Sequence, residues 1–365
     1  MKIAVHVSGA AIRGNERQTA RVVEGLVASG HVVIASCPAG SPAEAELLRA
    51  GARTTGIRPR GDADLWHALR FASWLKRERP DALLLTSWKR AFIAGWAARR
   101  AKVPRVVLRV GGLHRIGAGV GDWKHRRALT SYVDAIVVNS REIERRLRTS
   151  LPDLPPERVR TVLNGARLRR AAPAPLRAEL GIGAEALLVA GVGGLERRKG
   201  FDLLLRALAD GPGDAHAVIA GEGPLRAELT EMAAELGVGG RAHLLGERKD
   251  VPAVLAAADL FALPSRAEGM SVAMLEAMAA ERPVIAADVG GVWEALAARD
   301  GRPAAGWIVP REDSVALAAA LREVGDKLRA GDGDVAARVT EARWRLDHWF
   351  TVDAMVEGME AVLRG

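Results

Sequence analysis

The stretch around which this chain is organised reads PSRAEGMSVAMLEAMAAERPVIAADVGG and covers residues 264–291. The apolar run just before it, residues 259–263, predicts a strand that ends at Pro264. The polar segment Ser265–Gly269 predicts a loop. The residues VAMLEAMAA after Ser271 predict a helix, because they are strong helix formers without Gly or Pro. Residues 283–287 predict a second strand. This strand–loop–helix–strand order is typical of one unit of a parallel α/β sheet.

Two glutamates eight positions apart, Glu268 and Glu276, are the candidate binding residues of this unit. The loop and the helix start follow the carboxyl end of a strand, where open α/β sheets bind ligands. The Glu268 carboxylate can accept hydrogen bonds from hydroxyls, and the amides of Gly269, Met270 and Ser271 can donate to oxygens. Eight helical steps of ~1.5 Å would separate the glutamates by about 12 Å. They can therefore hold two ends of one elongated polyhydroxylated ligand, but they do not form a close acid/base dyad. The alternative is that Glu276 is a solvated helix residue and Glu268 a helix cap or surface acid.

The pattern E-G-M-S-x4-E-A-M-A, followed by P-V-I-A-x-D-V-G-G, resembles the E-x7-E signature of retaining glycosyltransferases of family 4. The resemblance implies the GT-B architecture, in which two Rossmann-like, doubly wound α/β domains face a cleft and a C-terminal helix crosses back to the first domain. It also implies that Glu268, as a catalytic candidate, and the amides of Gly269, Met270 and Ser271 hold the donor sugar, while Glu276 holds the ribose of the nucleotide.

The domain boundaries follow from length and from one linker. A chain of 365 residues allows two domains. Residues 163–180 contain an Asn-Gly turn and a run rich in Pro, Ala and Arg, which indicate a linker. We expect an N-terminal, basic, acceptor-binding Rossmann-like domain at 1–168 and a nucleotide-sugar-binding domain at 175–345. We expect residues 346–365 to form a helix that packs back on the first domain.

Composition excludes several classes of protein. One cysteine, Cys37, excludes an intrachain disulfide and a cysteine-cluster metal site. No run of about 20 apolar residues is present, so the sequence predicts no membrane-spanning helix. We expect a cytoplasmic protein that can dock on the inner face of the plasma membrane.

Charge is unevenly distributed along the chain. Residues 1–170 contain 32 Lys and Arg against 14 Asp and Glu, a net charge of +18, whereas residues 171–365 contain 21 against 30, a net charge of −9. The basic half predicts an anionic partner. The three open choices are an anionic membrane surface, a phosphate-bearing glycolipid and nucleic acid, and the absence of a recognised nucleic-acid motif counts against the last.

A basic loop precedes the first helix of the second domain, in the segment GGLERRKGFDLLLRALA, residues 193–209. Lys199 can place a positive charge on a diphosphate, and helix-start amides can add to it. The spacing fits neither a Walker loop nor a dinucleotide fingerprint. The segment is similar to the family motif G-R-L-x3-K-G, with Gly194 where the family has Arg. Arg197 or Arg198 could supply the missing charge.

Three further features belong to the first domain. Gly14 and Asn15 lie in a strand-to-helix loop that can bring backbone close to a ligand, at the position of the family's Gly-rich loop. In the Gly-rich segment 109–127, His114 is a candidate for orienting an acceptor hydroxyl or contacting the reacting sugar, with Arg109 and Arg115 as further candidates. Asp62-Ala63-Asp64 has the form of a D-x-D metal motif, but acids before a helix are typical of caps.

Together with these features, the family resemblance implies a hexosyltransferase that uses a nucleotide diphosphate sugar, a UDP- or GDP-sugar, as its donor, and the basic first domain favours a cell-surface glycan or glycolipid as acceptor. We expect no metal, since the lysine and the helix dipole can balance the diphosphate charge. Two alternatives stay open at this point. One is a sugar-nucleotide-binding relative without activity, and the other is a nucleic-acid-acting protein of the same architecture.

Overall fold

The chain folds into two compact α/β units. The computed structural model describes residues 1–59, 61, 64–112, 122–167 and 171–365. Unit 1 comprises Met1–Gly165 together with Thr351–Gly365, and unit 2 comprises Ala166–Phe350. The predicted boundaries were residues 168 and 346, so the observed divisions fall three residues earlier at the linker and five residues later near the C-terminus.

The elements alternate between strand and helix along nearly the whole chain. The first thirteen are β1 (Lys2–His6), α1 (Gly14–Ala28), β2 (Val32–Ser36), α2 (Pro42–Arg49), β3 (Arg53–Thr55), α3 (Leu65–Glu78), β4 (Ala82–Leu85), α4 (Ala91–Arg100), β5 (Arg105–Val110), α5 (Asp122–Arg127), β6 (Ala135–Val138), α6 (Arg141–Ser150) and β7 (Val159–Thr161). The remainder are α7 (Leu176–Glu179), β8 (Leu188–Val192), α8 (Phe201–Asp210), β9 (His216–Ala220), α9 (Arg226–Glu235), β10 (Ala242–Gly246), α10 (Val251–Ala257), β11 (Leu260–Leu263), α11 (Val272–Ala279), β12 (Val284–Ala287), α12 (Val292–Leu296), β13 (Trp307–Val309), α13 (Ser314–Arg329), α14 (Gly333–His348) and α15 (Val352–Arg364).

Each unit contains one sheet, and all the strand pairs in both sheets are parallel. Among the described residues, the seven strands of unit 1 lie in the order β3-β2-β1-β4-β5-β6-β7, and the six of unit 2 in the order β10-β9-β8-β11-β12-β13. In each sheet the strand order reverses once, between β1 and β4 and between β8 and β11. The prediction of two doubly wound, Rossmann-like α/β domains is confirmed.

Helices cover both faces of the unit 1 sheet. Alternate strand residues such as Leu83 and Leu85 pack with α3, α4 and α6, whereas Ala82 and Leu84 pack with α1, α2 and α15. This alternation follows from the two-residue period of a strand. We call these the α3–α6 layer, which includes α5, and the α1–α15 layer, which consists of α1, α2 and α15.

The structure differs from the sequence prediction in local details. The Gly-rich segment 109–127 ends in a helix, α5 (Asp122–Arg127), and the strand β7 (Val159–Thr161) was not predicted. The C-terminal helix was expected over residues 346–365, but α14 continues to His348 and the final helix begins at Val352, because the Thr351 side chain caps it by accepting a hydrogen bond from the Ala354 amide. Across the described part of the chain, no helix combines the length and the apolar character needed to span a bilayer.

The packing of α15 on α1 requires a glycine. A Cβ atom at Gly25 would lie 2.3 Å from Cγ2 of Val356, so the two helices approach closely only because position 25 has no side chain. Nearby, Nε2 of His31 lies 2.9 Å from a carboxylate oxygen of Glu360, which joins α15 to the turn between α1 and β2.

We predict that Gly25→Ala lowers the free energy of unfolding by about 1–3 kcal/mol, because the added methyl overpacks this contact. Equilibrium urea unfolding measures the change. The matched variant is Gly25→Ala with Val356→Ala, which removes the clashing methyl groups. The loss of unfolding free energy in the double variant should be smaller than the sum of the losses in the two single variants. Simple additivity would contradict the proposed contact.

Candidate functional site

The candidate site of unit 2 lies where its strand order reverses, between β8 and β11. The chain leaves β8 towards β9 on one side of the sheet, while β11 pairs with β8 on the other side. The loops that follow β8 and β11 therefore leave the same edge of the sheet side by side. Such reversal points are where doubly wound sheets bind ligands.

These two loops are in direct backbone contact. The amide of Arg266, after β11, donates a 2.8 Å hydrogen bond to the carbonyl of Arg198, after β8. Gly200 has φ +67°, and a Cβ atom there would lie 2.0 Å from the carbonyl oxygen of Pro264. Only glycine fits at this position, because it adopts the left-handed conformation without strain and leaves room for the neighbouring loop. Gly200 is thus required by the junction itself, and it places Lys199 directly before the start of α8.

The junction brings Lys199 and Glu268 together. Nζ of Lys199 donates a 2.5 Å hydrogen bond to Oε1 of Glu268, and the exposed fractions of the two side chains are 11% and 9%. Ser265 Oγ donates to the same carboxylate oxygen at 3.0 Å. A positive charge and a hydrogen-bond acceptor for hydroxyls therefore lie within one hydrogen bond of each other. This combination suits a ligand that carries a phosphate next to a sugar ring.

The structure distinguishes the two arginines that sequence left as equal candidates. A guanidinium nitrogen of Arg198 lies 3.8 Å from Oε2 of Glu268, and its Nε donates to Glu196 at 2.9 Å. Arg197 is exposed, and its backbone carbonyl accepts a hydrogen bond from Arg266. Arg198 thus adds a second positive charge beside Glu268. At Gly194 a Cβ atom would meet its nearest neighbours at 3.5 Å, so a side chain is sterically acceptable there.

The Arg266 side chain connects the loop after β11 to the carboxylates of Asp202 and Glu312. Its guanidinium donates to both carboxylate oxygens of Asp202 at 2.6 and 2.7 Å and to Glu312 at 2.7 Å. These hydrogen bonds raise the pKa of Arg266 and lower that of Asp202, despite the partial burial of both. The bidentate pair ties the loop to the first turn of α8.

The segment Gly269–Ser271 leads into α11 and is buried. Ser271 caps the helix, because its hydroxyl accepts a hydrogen bond from the Met274 amide. A third loop supports the segment from behind: the Gly291 amide donates to the Gly269 carbonyl at 2.7 Å. Gly290 has φ +56°, and a Cβ atom there would lie 2.1 Å from the same carbonyl oxygen. In the sequence, Gly290 and Gly291 stand out only as part of the pattern P-V-I-A-x-D-V-G-G, although a Gly-Gly pair after a strand also signals close backbone approach.

Glu276 lies on α11, in the turn after the cap, and is half-buried. It shares the less buried side of this helix with Val272 and Ala273, the residues four and three positions before it. Because the chain becomes helical only after Ser271, the eight positions between the glutamates combine a loop and a helix. Both acids thus belong to one loop–helix unit at the carboxyl edge of the sheet.

The predicted residues of unit 1 are only partly described. His114 and Arg115 lie outside the described residues. Gly14 begins α1, and the side-chain amide of Asn15 donates to the Thr86 carbonyl at 3.0 Å, which joins the loops at the β1–β4 reversal. The sequence predicted both residues in the strand-to-helix loop, but they form the first turn of α1, and the loop ends at Arg13.

The buried side chain of Arg109 is hydrogen-bonded to other side chains of unit 1. Its buried guanidinium donates to Oδ1 of Asn15 at 3.1 Å and to Oδ1 of Asn164 at 2.7 Å. Burial lowers the pKa of Arg109 to about 10, although Glu16 opposes this effect. This side chain ties β5 to the first turn of α1 and to Asn164, which follows β7.

Of the two aspartates in the D-x-D segment, the structure describes Asp64. The Asp64 carboxylate caps α3 by accepting a hydrogen bond from the His67 amide at 3.2 Å, whereas Asp62 is outside the described residues. Among the residues that the structure describes, no group of three or more His, Cys, Asp or Glu side chains is arranged to hold a metal ion.

Comparison with known proteins gives two family matches that together cover most of the chain. Residues 13–165 match the family described as Glycosyl transferase 4-like domain, and residues 186–326 match Glycosyl transferases group 1. The first match falls in unit 1, and the second contains both Lys199 and the Glu268–Glu276 segment.

Two curated relatives illustrate the range of similar proteins. The chain is 32% identical to the D-inositol 3-phosphate glycosyltransferase of Nocardia farcinica over 343 residues, which are 88% of this chain and 71% of the relative. It is 29% identical to the lipopolysaccharide core biosynthesis glycosyltransferase LpsE of Rhizobium meliloti over 75% of this chain and 72% of the relative. Some further D-inositol 3-phosphate glycosyltransferases are matched over about half of their length, 51%.

Solved structures show the same fold. The structure of HepE of Anabaena in complex with UDP-glucose has a TM-score of 0.82 at 21% identity, with 100% of this chain and 99% of that chain covered. The fold class is thus that of the GT-B proteins.

We predict that Gly290→Ala disturbs the segment Gly269–Ser271, because the new methyl would collide with its backbone. The free energy of unfolding should fall by roughly 1–3 kcal/mol, and hydrogen–deuterium exchange should rise in peptides that cover this segment. Gly301→Ala is the matched control, since Gly301 has φ +74° but no neighbour within 4 Å of a Cβ atom. Equal effects of the two substitutions would show that the backbone contact at Gly290 is unimportant.

Proposed function

Because this chain belongs to the glycosyltransferase family with a 4-like and a group 1 domain, we propose that it transfers a hexose-type sugar from a nucleotide diphosphate sugar. The Lys199–Glu268 pair at the β8–β11 reversal is the observation that carries this proposal. A cation for the diphosphate lies directly beside an acceptor for sugar hydroxyls. The sugar–phosphate bond to be broken would lie between them.

Each residue of the unit 2 site has a distinct proposed role. Lys199 and Arg198 stabilise the negative charge that develops on the departing diphosphate, an electrostatic contribution to catalysis. Glu268 and the amides at Gly269–Ser271 hold the sugar ring, and Glu276 binds the ribose. The carboxylate of Glu268 is held in place by Ser265, so it is ordered for this task. With two cations and a helix N-terminus present, the proposed reaction uses no metal ion. We also propose retention at the anomeric carbon.

The acceptor proposal depends on unit 1 and on the relatives. The net charge of +18 in residues 1–170 favours an anionic acceptor. One relative is named for inositol 3-phosphate and another for the lipopolysaccharide core. We therefore propose a phosphate-bearing or lipid-linked glycan acceptor, contacted by His114 and by the loop at Gly14. On this proposal the protein works in the cytoplasm, at the inner face of the membrane.

The non-catalytic alternative is supported by Gly194, where the family motif has an arginine. The position of Arg198 beside Glu268 counts against this alternative, because it returns a second cation to the site. Detectable sugar transfer or donor hydrolysis would exclude it.

We predict that one class of donor among UDP-, GDP- and ADP-sugars raises the melting temperature of the protein. Saturation at about one hundred times Kd would contribute ~2.7 kcal/mol. Lys199→Ala and Glu276→Ala should both lose the shift, since each removes a proposed donor contact. Lys249→Ala, an exposed lysine on another loop, is the matched control and should keep it. A shift that survives in both site variants would contradict the assigned site.

We predict that Arg198→Ala reduces kcat/KM for sugar transfer by about 10- to 100-fold, the effect of losing one charge-assisted contact. Arg197→Ala is the matched control, and its activity should stay within about threefold of the parent. Because position 194 has room for a side chain, Gly194→Arg in the Arg198→Ala background should recover part of the loss. A larger effect at Arg197 would assign the second cation to the other arginine.

A further inference from the structure

The positive charge of unit 1 is concentrated on one of its two helical layers. The α3–α6 layer has twelve Lys and Arg against four Asp and Glu in its helices. The α1–α15 layer has four Lys and Arg against seven Asp and Glu. The sequence alone does not show this division, because the helices of the two layers alternate irregularly along the chain. One face of unit 1 is therefore basic and the opposite face is mildly acidic.

Exposed aromatic and aliphatic side chains lie on the same basic layer. Trp66 on α3 is 68% exposed, with Leu65 at 55% and Leu69 at 37% beside it. Trp123 on α5 is 57% exposed, although its ring contacts that of Phe92 on α4 at a centroid distance of 5.5 Å. Both of the strongly exposed tryptophans described in unit 1 thus belong to the α3–α6 layer.

The outward side of α3 combines the two properties. Its inward residues, Phe71, Ala72, Trp74 and Leu75, pack in the core. Its exposed residues are Leu65, Trp66, Leu69, Arg70, Ser73, Lys76 and Arg77. These follow a helical spacing, so they form one stripe that is apolar in its first turns and basic in its last turn. Within the described part of the chain, Arg70, Lys76 and Arg77 make no ion pair with a carboxylate.

We propose that this α3 stripe, together with Trp123, docks unit 1 on an anionic lipid bilayer. Tryptophan and leucine side chains enter the headgroup boundary, where an aromatic ring with one polar edge is stable. The unpaired arginines and lysine would face anionic headgroups, and each such charge favours binding by about fivefold. A nucleic acid would satisfy the charges but would leave the leucines without a partner. The inference extends the proposed function, since a lipid-linked acceptor would be met at this surface, but it does not depend on the donor.

The single cysteine of the chain makes a site-specific test possible. Cys37 is fully buried, so a cysteine-reactive environment-sensitive dye will label an introduced surface cysteine selectively. Trp66→Cys places the dye on the proposed surface. Leu48→Cys is the matched control, because Leu48 is 53% exposed on α2, in the opposite layer.

With vesicles of about 30 mol% anionic lipid, dye emission at position 66 should shift to the blue and increase, whereas emission at position 48 should stay unchanged. Neutral vesicles should give no response, and high salt should reverse it. A response at position 48 alone, equal responses at both positions, or none at either would overturn the proposal. A response at position 66 to duplex DNA but not to vesicles would also overturn it and would assign the surface to nucleic acid.

A second measurement tests the charges. Arg70→Glu with Lys76→Glu and Arg77→Glu should reduce the vesicle-bound fraction in flotation by at least tenfold at equal lipid concentration. Leu48→Ser with Arg49→Glu, on the opposite layer, should leave it unchanged. The donor-dependent melting shift is measured on the same proteins. If the parent protein shows the donor shift but no vesicle binding, the docking inference fails and the proposed transferase function stands. If vesicle binding follows the predicted pattern but no donor raises the melting temperature, the docking inference stands and the proposed transferase function fails.

Discussion

The contact between the loops after β8 and β11 is the constraint on which the candidate site depends. Parallel pairing of these strands delivers both loops to one edge of the sheet. The close approach of Gly200 to the Pro264 carbonyl then sets their separation. A side chain at position 200 would push the loops apart, and Lys199 would no longer reach Glu268. The electrostatic arrangement of the site is thus a consequence of a backbone contact, since the Lys199–Glu268 pair forms only where the two loops already touch.

A second pair of glycines, Gly290 and Gly291, also allows two loops to make close backbone contact. The loop after β12 approaches the segment Gly269–Ser271 through Gly290 and Gly291, so three successive loops on one sheet edge are packed backbone against backbone. Such packing leaves amide and carbonyl groups fixed in direction without the use of side chains. A site that must hold a charged, hydroxyl-rich ligand benefits from this, because groups that are already oriented lose little conformational freedom on binding.

In unit 1 the distinctive feature is the difference in charge between its two helical layers. Apolar helix faces pack on both sides of its sheet, yet its two outer surfaces differ in charge. The apolar interior fixes the fold and leaves the outward residues free to differ. The exposed side of α3 carries basic, tryptophan and leucine side chains, while the charged residues of α2 and α15 are mostly acidic. The division of charge is therefore a property of the surface, added to a fold that does not require it.

The sequence by itself determined the doubly wound fold and most of the candidate site of unit 2. Strand and helix periods are local properties, and Lys199, Glu268 and Glu276 lie in motifs that are contiguous in the chain. Tertiary structure decided what depends on contacts between distant residues. It distinguished Arg198 from Arg197, because only one of them points towards a carboxylate 70 positions away. It revealed the need for Gly290, whose neighbour is a carbonyl on another loop. It also sorted the basic residues onto one face, because the side of a sheet that a helix covers follows from the chain's path through space and not from the helix's own sequence.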